Sequence, residues 1–394
     1  MTLPKKLMKT MEDIFGSGDS NRVFFAPGRV NLIGEHTDYN GGYVLPCALE
    51  IGTYAVAQKR KDRECHLYSV NFPEEGVITF SLDDLVNDEK DGWANYPKGV
   101  IKAFINKGVE VRGLNIVFEG NIPNGAGLSS SASIELVTSV MLNEMFEAGL
   151  SMLEMVELAK EVENEFIGVN CGIMDQFAIG MGKNHHAVML HCDSLKYEYL
   201  PIKLDRYSII IANTNKQRGL ATSAYNERRE SCESALKKLQ GILPLQTVSD
   251  ITLQQLNDHA ELLEETEIKR VRHVITENQR TKKAAQALIN GNLSLFGVLM
   301  NQSHESLKKD YEVTGIELDT LVELARKQNG TIGARMTGAG FGGCTVNIVE
   351  DDKVEAFIEE VGIAYKERIG WAADFYTAKI GDGAKEIDIK EEIT

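Results

Sequence analysis

The run Pro123-Asn124-Gly125-Ala126-Gly127-Leu128-Ser129-Ser130-Ser131-Ala132-Ser133 sets two glycines and four serine hydroxyls between an alternating apolar segment, Leu114 to Ile122, and a helical segment, Ser129 to Ala148. Residues of these types at a strand-to-helix junction suit an anion. Gly125 and Gly127 let the backbone approach closely, and the first helical turn aims unpaired N–H groups and the positive end of its dipole at the same point. A nucleotide triphosphate fits such a cradle. A serine-capped helix after a glycine turn would use the same residues for structure alone.

A second polar concentration lies upstream, in Ala26-Pro27-Gly28-Arg29-Val30-Asn31-Leu32-Ile33-Gly34-Glu35-His36-Thr37-Asp38-Tyr39-Asn40-Gly41-Gly42. Carboxylates accept hydrogen bonds from sugar hydroxyls, an imidazole can bridge another, and a guanidinium can stabilise a developing anion. A polyol is therefore one reading of this run, and a polar surface loop is the other. Glu163 is a third candidate. Glu154, Glu157, Glu161 and Glu165 form one acidic helix face, whereas Glu163 shares its side with Val156, Ala159 and Phe166. A half-buried acid there needs a partner: either an arginine, or a magnesium ion shared with a loop hydroxyl such as Ser131, with phosphates and water completing an octahedron.

Positioning these groups requires a set of strands and helices that the hydrophobic pattern outlines. Strands are expected at Val23 to Phe25, Thr53 to Lys59, Cys65 to Asn71 and Val77 to Phe80, then a helix at Tyr96 to Asn106. After the phosphate loop and its helix, Ser151 and Glu154 have capping-box spacing and open a helix running towards Phe166; Ala187 to Leu190 returns as a strand. Beyond about residue 200 the pattern is strand Ser208 to Ala212, long helices between Thr222 and Lys308, helix Ile316 to Gln328, then strand, glycine turn, strand, helix and strand to Ile380. Without the inserted helices the order is β-α-β-β-α-β, which suggests a ferredoxin-like second domain. The tail Lys385 to Thr394 reads as a solvated end.

A length of 394 residues suggests more than one domain, and 43% hydrophobic with 25% charged residues suits a soluble globular protein. The net charge of −16 opposes nucleic-acid backbones and anionic membranes. It equally opposes nucleotide phosphates, so a nucleotide site needs local N–H groups, an arginine and a divalent cation to reverse the field. Cys47, Cys65, Cys171, Cys192, Cys232 and Cys344 are scattered without a C-x-x-C pair, which fits reduced thiols in the cytoplasm. Met1 to Phe15 lacks the apolar run of a signal peptide, and no stretch approaches the roughly 20 apolar residues of a membrane span.

The run from Ala26 to Gly42 resembles the galactokinase signature. Pro123 to Ser133 resembles the phosphate loop of the galactose/homoserine/mevalonate/phosphomevalonate kinase superfamily, and Arg335-Met336-Thr337-Gly338-Ala339-Gly340-Phe341-Gly342-Gly343 resembles its third motif. The likeness extends through Cys171-Gly172-Ile173-Met174-Asp175-Gln176 and Ser223-Ala224-Tyr225-Asn226, in order along nearly the whole chain. It implies an α+β, two-domain small-molecule kinase fold: an N-terminal mixed sheet with helices, like the second domain of a small-subunit ribosomal protein, over residues 1–200, and a C-terminal ferredoxin-like domain with inserted helices over 201–394, with the active site in the cleft. The implied reaction is ATP-dependent phosphorylation of the anomeric hydroxyl of galactose, giving galactose 1-phosphate and ADP with Mg2+ as cofactor. Galactose and ATP are then the partners, with no nucleic acid, membrane or obligate protein partner. Carried over by position, the resemblance makes Asp175 the catalytic base and Arg29 its partner. Glu35, His36, Thr37, Asp38, Gly172 and Tyr225 would hold the sugar; Gly125, Ala126, Gly127, Leu128, Ser129, Ser130 and Ser131 would wrap the triphosphate; and Ser131 with Glu163 would hold the metal. Ser69, Trp93 and Tyr96 would lie near the nucleotide.

Rival motifs fail on context. Gly338, Gly340 and Gly343 match G-x-G-x-x-G, but Cys344 to Val349 reads as a strand where a dinucleotide fingerprint needs a helix. There is no G-x-x-x-x-G-K-[ST] and no kinase H-R-D loop. His185, His186 and His191 lie in an extended segment without a ligand cluster and read as loop and strand. An N-acetylgalactosamine kinase and a non-catalytic galactose and ATP sensor remain as alternative activities.

Overall fold

The computed structural model describes residues 2–18, 21–123, 125–216 and 221–388. Its first half runs α1 (Leu3–Phe15), β1 (Arg22–Asn31), β2 (Tyr43–Val44), β3 (Pro46–Lys59), β4 (Glu64–Ser69), β5 (Val77–Ser81), α2 (Asn95–Asn106), β6 (Leu114–Gly120), α3 (Ser130–Met145), α4 (Met152–Glu161), α5 (Met174–Gly180), β7 (His186–His191) and β8 (Lys196–Pro201). The second half runs β9 (Tyr207–Asn213), α6 (Ala221–Gln240), α7 (Leu253–Asp258), α8 (Glu265–Ile289), α9 (Leu293–Ser306), α10 (Gly315–Lys327), β10 (Thr331–Thr337), β11 (Cys344–Glu350), α11 (Val354–Ile369), β12 (Asp374–Ala378) and β13 (Lys385–Ile387).

Six strands form a mixed sheet in the order β13-β1-β3-β6-β4-β5, with β4 and β6 parallel. Alternation divides its residues between two faces. Phe24, Ala55 and Ile116 pack with Leu136 of α3 and Val156 of α4, whereas their neighbours Val23, Val56 and Val117 pack with Leu7 and Met11 of α1. Strands β2, β7 and β8 make a separate sheet. The second half has the antiparallel order β10-β11-β9-β12, which with α10 and α11 is the expected ferredoxin-like arrangement. Ile210 and Ala212 face α10 and α11, while Ile209 and Ile211 share a core with Phe296 of α9 and with Val30, Leu32 and Leu45 of the first half. One continuous apolar cluster therefore joins the halves and fixes the cleft between them.

Three expectations change. Lys385 to Ile387 is not a solvated end: it pairs antiparallel with Val23 to Phe25 and covers what would be an open sheet edge. Strand β1 continues to Asn31 through an irregularity between Pro27 and Arg29, which its proline and polar residues conceal in the hydrophobic pattern. Helix α3 starts at Ser130, because Ser129 adopts the left-handed conformation at φ 63°. The capping box of Ser151 and Glu154 is formed.

Candidate active site

The far end of β1 and the first turn of α5 meet at one ion pair. Arg29 is buried and donates through Nε to Asp175 Oδ1 at 2.8 Å and through Nη2 to Oδ2 at 2.7 Å. Its Nη1 donates to the Gly127 carbonyl at 2.8 Å, tying this fork to the phosphate loop. The Ser129 hydroxyl also donates to Asp175 Oδ2. Asp175 therefore does not cap its helix; its carboxylate takes three donors and faces a cavity of about 390 Å3. Of the four acceptor positions on a carboxylate, one on Oδ1 is left.

Gly125, Gly127, Leu128, Ser129, Ser130 and Ser131 line this cavity. Asn124 lies outside the described residues, and Ala126 is buried in the core beneath the loop instead of facing the cavity. Gly125 and Gly127 have φ of 70° and 72°, the left-handed region that favours glycine. A second cavity of about 200 Å3 shares Ser130 and Ser131 and extends to Ser69, Trp93 and Tyr96, so these three side chains line one cavity beside the loop.

Glu35, His36, Asp38 and Tyr225 line the opposite wall of the main cavity with Gly172. A Cβ at Gly172 would stand 1.9 Å from Asp38 Oδ2, so glycine is required for the carboxylate to occupy its place. Burial, followed by the charge of Asp175, pushes the Asp38 carboxyl up to about 6. Burial drives the His36 imidazole down to about 3, which leaves the ring neutral. Glu35 Oε1 accepts from Gly338 N at 2.8 Å, Thr337 Oγ1 at 3.0 Å and Arg335 Nη1 at 3.3 Å, binding Arg335 to Gly338 to the loop that follows β1. Thr37 is the exception. Its hydroxyl is within hydrogen-bond distance of the Gly34 and Tyr43 carbonyls, closing the loop away from the cavity.

Glu163 lines the cavity with Ser131, and among the described residues no arginine forms an ion pair with it. Gln176 Nε2 donates to Glu163 Oε2 at 2.6 Å, and the Cys171 thiol is 3.7 Å away. Burial raises the Glu163 carboxyl, with a further push from Asp175, and the Ser131 hydroxyl partly offsets it. A buried carboxylate beside a hydroxyl in an anion cradle is an oxygen donor set of the kind magnesium takes. His185, His186 and His191 form no metal cluster; among the described residues no group of three or more His, Cys, Asp or Glu could hold an ion.

The profile described as the GHMP kinases N terminal domain matches residues 95–183, and the GHMP kinases C terminal profile matches 284–367. The galactokinase galactose-binding signature matches residues 10–59. A galactokinase of Fusobacterium nucleatum is 54% identical over 386 residues, covering 97% of this chain and 99% of that protein. The chain belongs to the galactokinase family. A Bacillus subtilis galactokinase is 52% identical over 97% of the chain, and the crystal structure of Lactococcus lactis galactokinase complexed with galactose superposes with a TM-score of 0.96 at 48% identity, covering 98% of this chain and 100% of that one. The Methanococcus jannaschii mevalonate kinase structure, at 20% identity and TM-score 0.67, shares the fold.

Within this galactokinase frame, sequence reasoning missed three groups near the site. Glu135 on α3 is completely buried and accepts from Gln176 Nε2 at 3.4 Å; burial, then the charge of Glu163, raises its carboxyl far above the usual range. Its position on the apolar face of α3 was the available signal. Tyr39 and Tyr311 sit behind His36, and only the fold brings them together.

Proposed function

We propose that this galactokinase-family kinase phosphorylates galactose on its anomeric hydroxyl, using ATP and giving galactose 1-phosphate and ADP. The observation that carries the reading is the Arg29–Asp175 fork set between the phosphate loop and the wall formed by Asp38 and Gly172. A sugar held by Glu35, His36, Asp38 and Tyr225 presents its anomeric oxygen to Asp175. The free acceptor position on Asp175 Oδ1 takes the proton, and the Arg29 guanidinium beside it lowers the cost of the developing alkoxide. The loop N–H groups and serines hold the triphosphate in line, which is most of what phosphoryl transfer asks of a protein. Ser131 and Glu163 would hold Mg2+, which supplies charge neutralisation on the phosphates. Thr37 serves as the brace of the sugar loop. Residues 1–200 and 201–394 are the two domains, with the last strand returning to the first sheet. A cytoplasmic location is supported by six cysteines, none in a disulfide.

A coupled ADP-release assay across galactose, glucose, talose, 2-deoxygalactose and N-acetylgalactosamine tests the reading. Galactose should turn over and glucose should be strongly disfavoured, because buried polar groups matched to one hydroxyl geometry are left unpaired by the other. Preference for N-acetylgalactosamine, or binding of both ligands without turnover, would replace it with the amino-sugar kinase or the sensor.

A further inference from the structure

His36 is held in a conformation it does not favour. Its φ is 61°, in the left-handed region, which costs any residue with a Cβ. Local sequence does not explain why it stays there, but its contacts do. Asn40 Nδ2 donates to the His36 carbonyl at 2.8 Å, and the His36 ring packs against Tyr311 with centroids 4.7 Å apart. The hydroxyl of Tyr39 lies 2.8 Å from His36 Nδ1 and 3.0 Å from the hydroxyl of Tyr311, and that of Tyr311 lies 3.3 Å from the sulfur of Cys232 on α6. Across the ring, His36 Nε2 is buried with no hydrogen-bond partner among the described residues.

Two directions run head to tail through the whole chain of hydroxyls. If it starts at His36 Nδ1–H, the imidazole donates to a phenol and the last phenol proton goes to sulfur, a weak acceptor. If it starts at the Cys232 thiol, the last phenol proton goes to the imidazole nitrogen, the best acceptor in the chain. The second direction keeps the stronger bond. It leaves Nε2 carrying the proton. We propose that Tyr311, acting through Tyr39, is a positioning residue for the sugar site: it fixes His36 in the Nε2–H form, so that Nε2 donates to a hydroxyl oxygen of the sugar. Tyr311 ends the π-type turn Leu307–Tyr311 that follows α9 in the second half, 272 residues from Tyr39, so the insert of one half sets the donor pattern of a loop in the other. The sugar-facing part of this inference rests on the proposed galactose reading.

The test is the ring 15N spectrum of His36, assigned by its loss in His36→Gln, together with galactose titration of Tyr311→Phe and Tyr39→Phe, both of which keep the packing. In the unmodified protein Nε2 should carry the proton; an Nδ1–H ring overturns the proposal with no variant needed. Tyr311→Phe should shift the ring towards a mixture of tautomers and raise Kd and KM for galactose by about 3- to 10-fold, the effect of one lost hydrogen bond, while kcat changes by less than about twofold. An unchanged 15N pattern and unchanged KM in Tyr311→Phe, or a loss confined to kcat, refutes it. If the unmodified protein did not phosphorylate galactose, the function reading would fail, yet the ring spectrum would still decide the tautomer.

Discussion

Asp175 accepts from Arg29 Nε, Arg29 Nη2 and Ser129 Oγ, and its role rests on the one acceptor position left over. Asp175→Asn keeps the shape but removes the proposed base and sets an amide against the guanidinium. Turnover should fall by about 10²-fold or more in single-turnover phosphorylation, with melting temperature and ligand binding retained; a loss of only a few fold would leave Arg29 and the phosphate loop to act by electrostatics alone. Asp38 makes a separate prediction. Its carboxyl is pushed up to about 6 by burial and then by Asp175, and sugar hydroxyls bind the ionised form. Galactose affinity should therefore fall as pH drops from 7 to 5, and binding near pH 6 should release a proton. For folding the sign is opposite: the stability this group contributes is present below the ordinary carboxyl pKa and is lost as pH rises through about 6. His36, driven down to about 3, stays neutral across this window and does not confuse the result. Calorimetry in two buffers of different ionisation enthalpy reads the proton count; zero release would remove Asp38 from the sugar contacts.

At the scale of elements, α4 does not end where its periodicity suggests. Past Glu161 it widens into a π-type turn, Val162 to Ile167, and a wide turn re-aims side chains that a regular helix would place elsewhere. Glu163 thereby lines the cavity beside Ser131, while Gln176 of α5 fixes one of its oxygens. Glu163→Gln should raise the magnesium concentration needed for half-maximal turnover and leave galactose affinity unchanged. Turnover titrated with magnesium, alongside galactose calorimetry, checks both parts; an unaltered magnesium requirement would make Glu163 a buried structural acid bound to Gln176.

Over the whole molecule, the halves are joined by an apolar cluster and by the buried pair of Arg335 and Glu35. Arg335 is fully buried and also donates to the Asn31 carbonyl at 3.1 Å and to Ser303 Oγ at 3.2 Å. Arg335→Met leaves the Glu35 carboxylate buried without its arginine, beside the Thr337 hydroxyl and Gly338 N–H. It should lower unfolding free energy by about 3 to 5 kcal/mol, measured from denaturant midpoints, and weaken galactose binding through the displaced Glu35. A loss below about 1 kcal/mol would show that Thr337 and Gly338 hold the carboxylate by themselves.

The sequence alone determined the chemistry-bearing runs, because glycines, hydroxyls and charges at fixed spacing in one segment declare a local conformation and an affinity together. The glycine turn into α3, the α4 capping box and the ferredoxin-like strand and helix order were legible for that reason. Tertiary structure decided whatever depends on partners far apart in the chain. It took Thr37 out of the cavity wall, since closing a turn required its hydroxyl. It set Gln176 beside Glu163, with no arginine partner among the described residues, and it made Lys385 to Ile387 an edge strand because β1 had an unpaired row of backbone groups. It also brought Tyr39 and Tyr311 behind His36. A side chain's type sets which bonds it can make, but which atom stands opposite is fixed only when the halves close on their shared core.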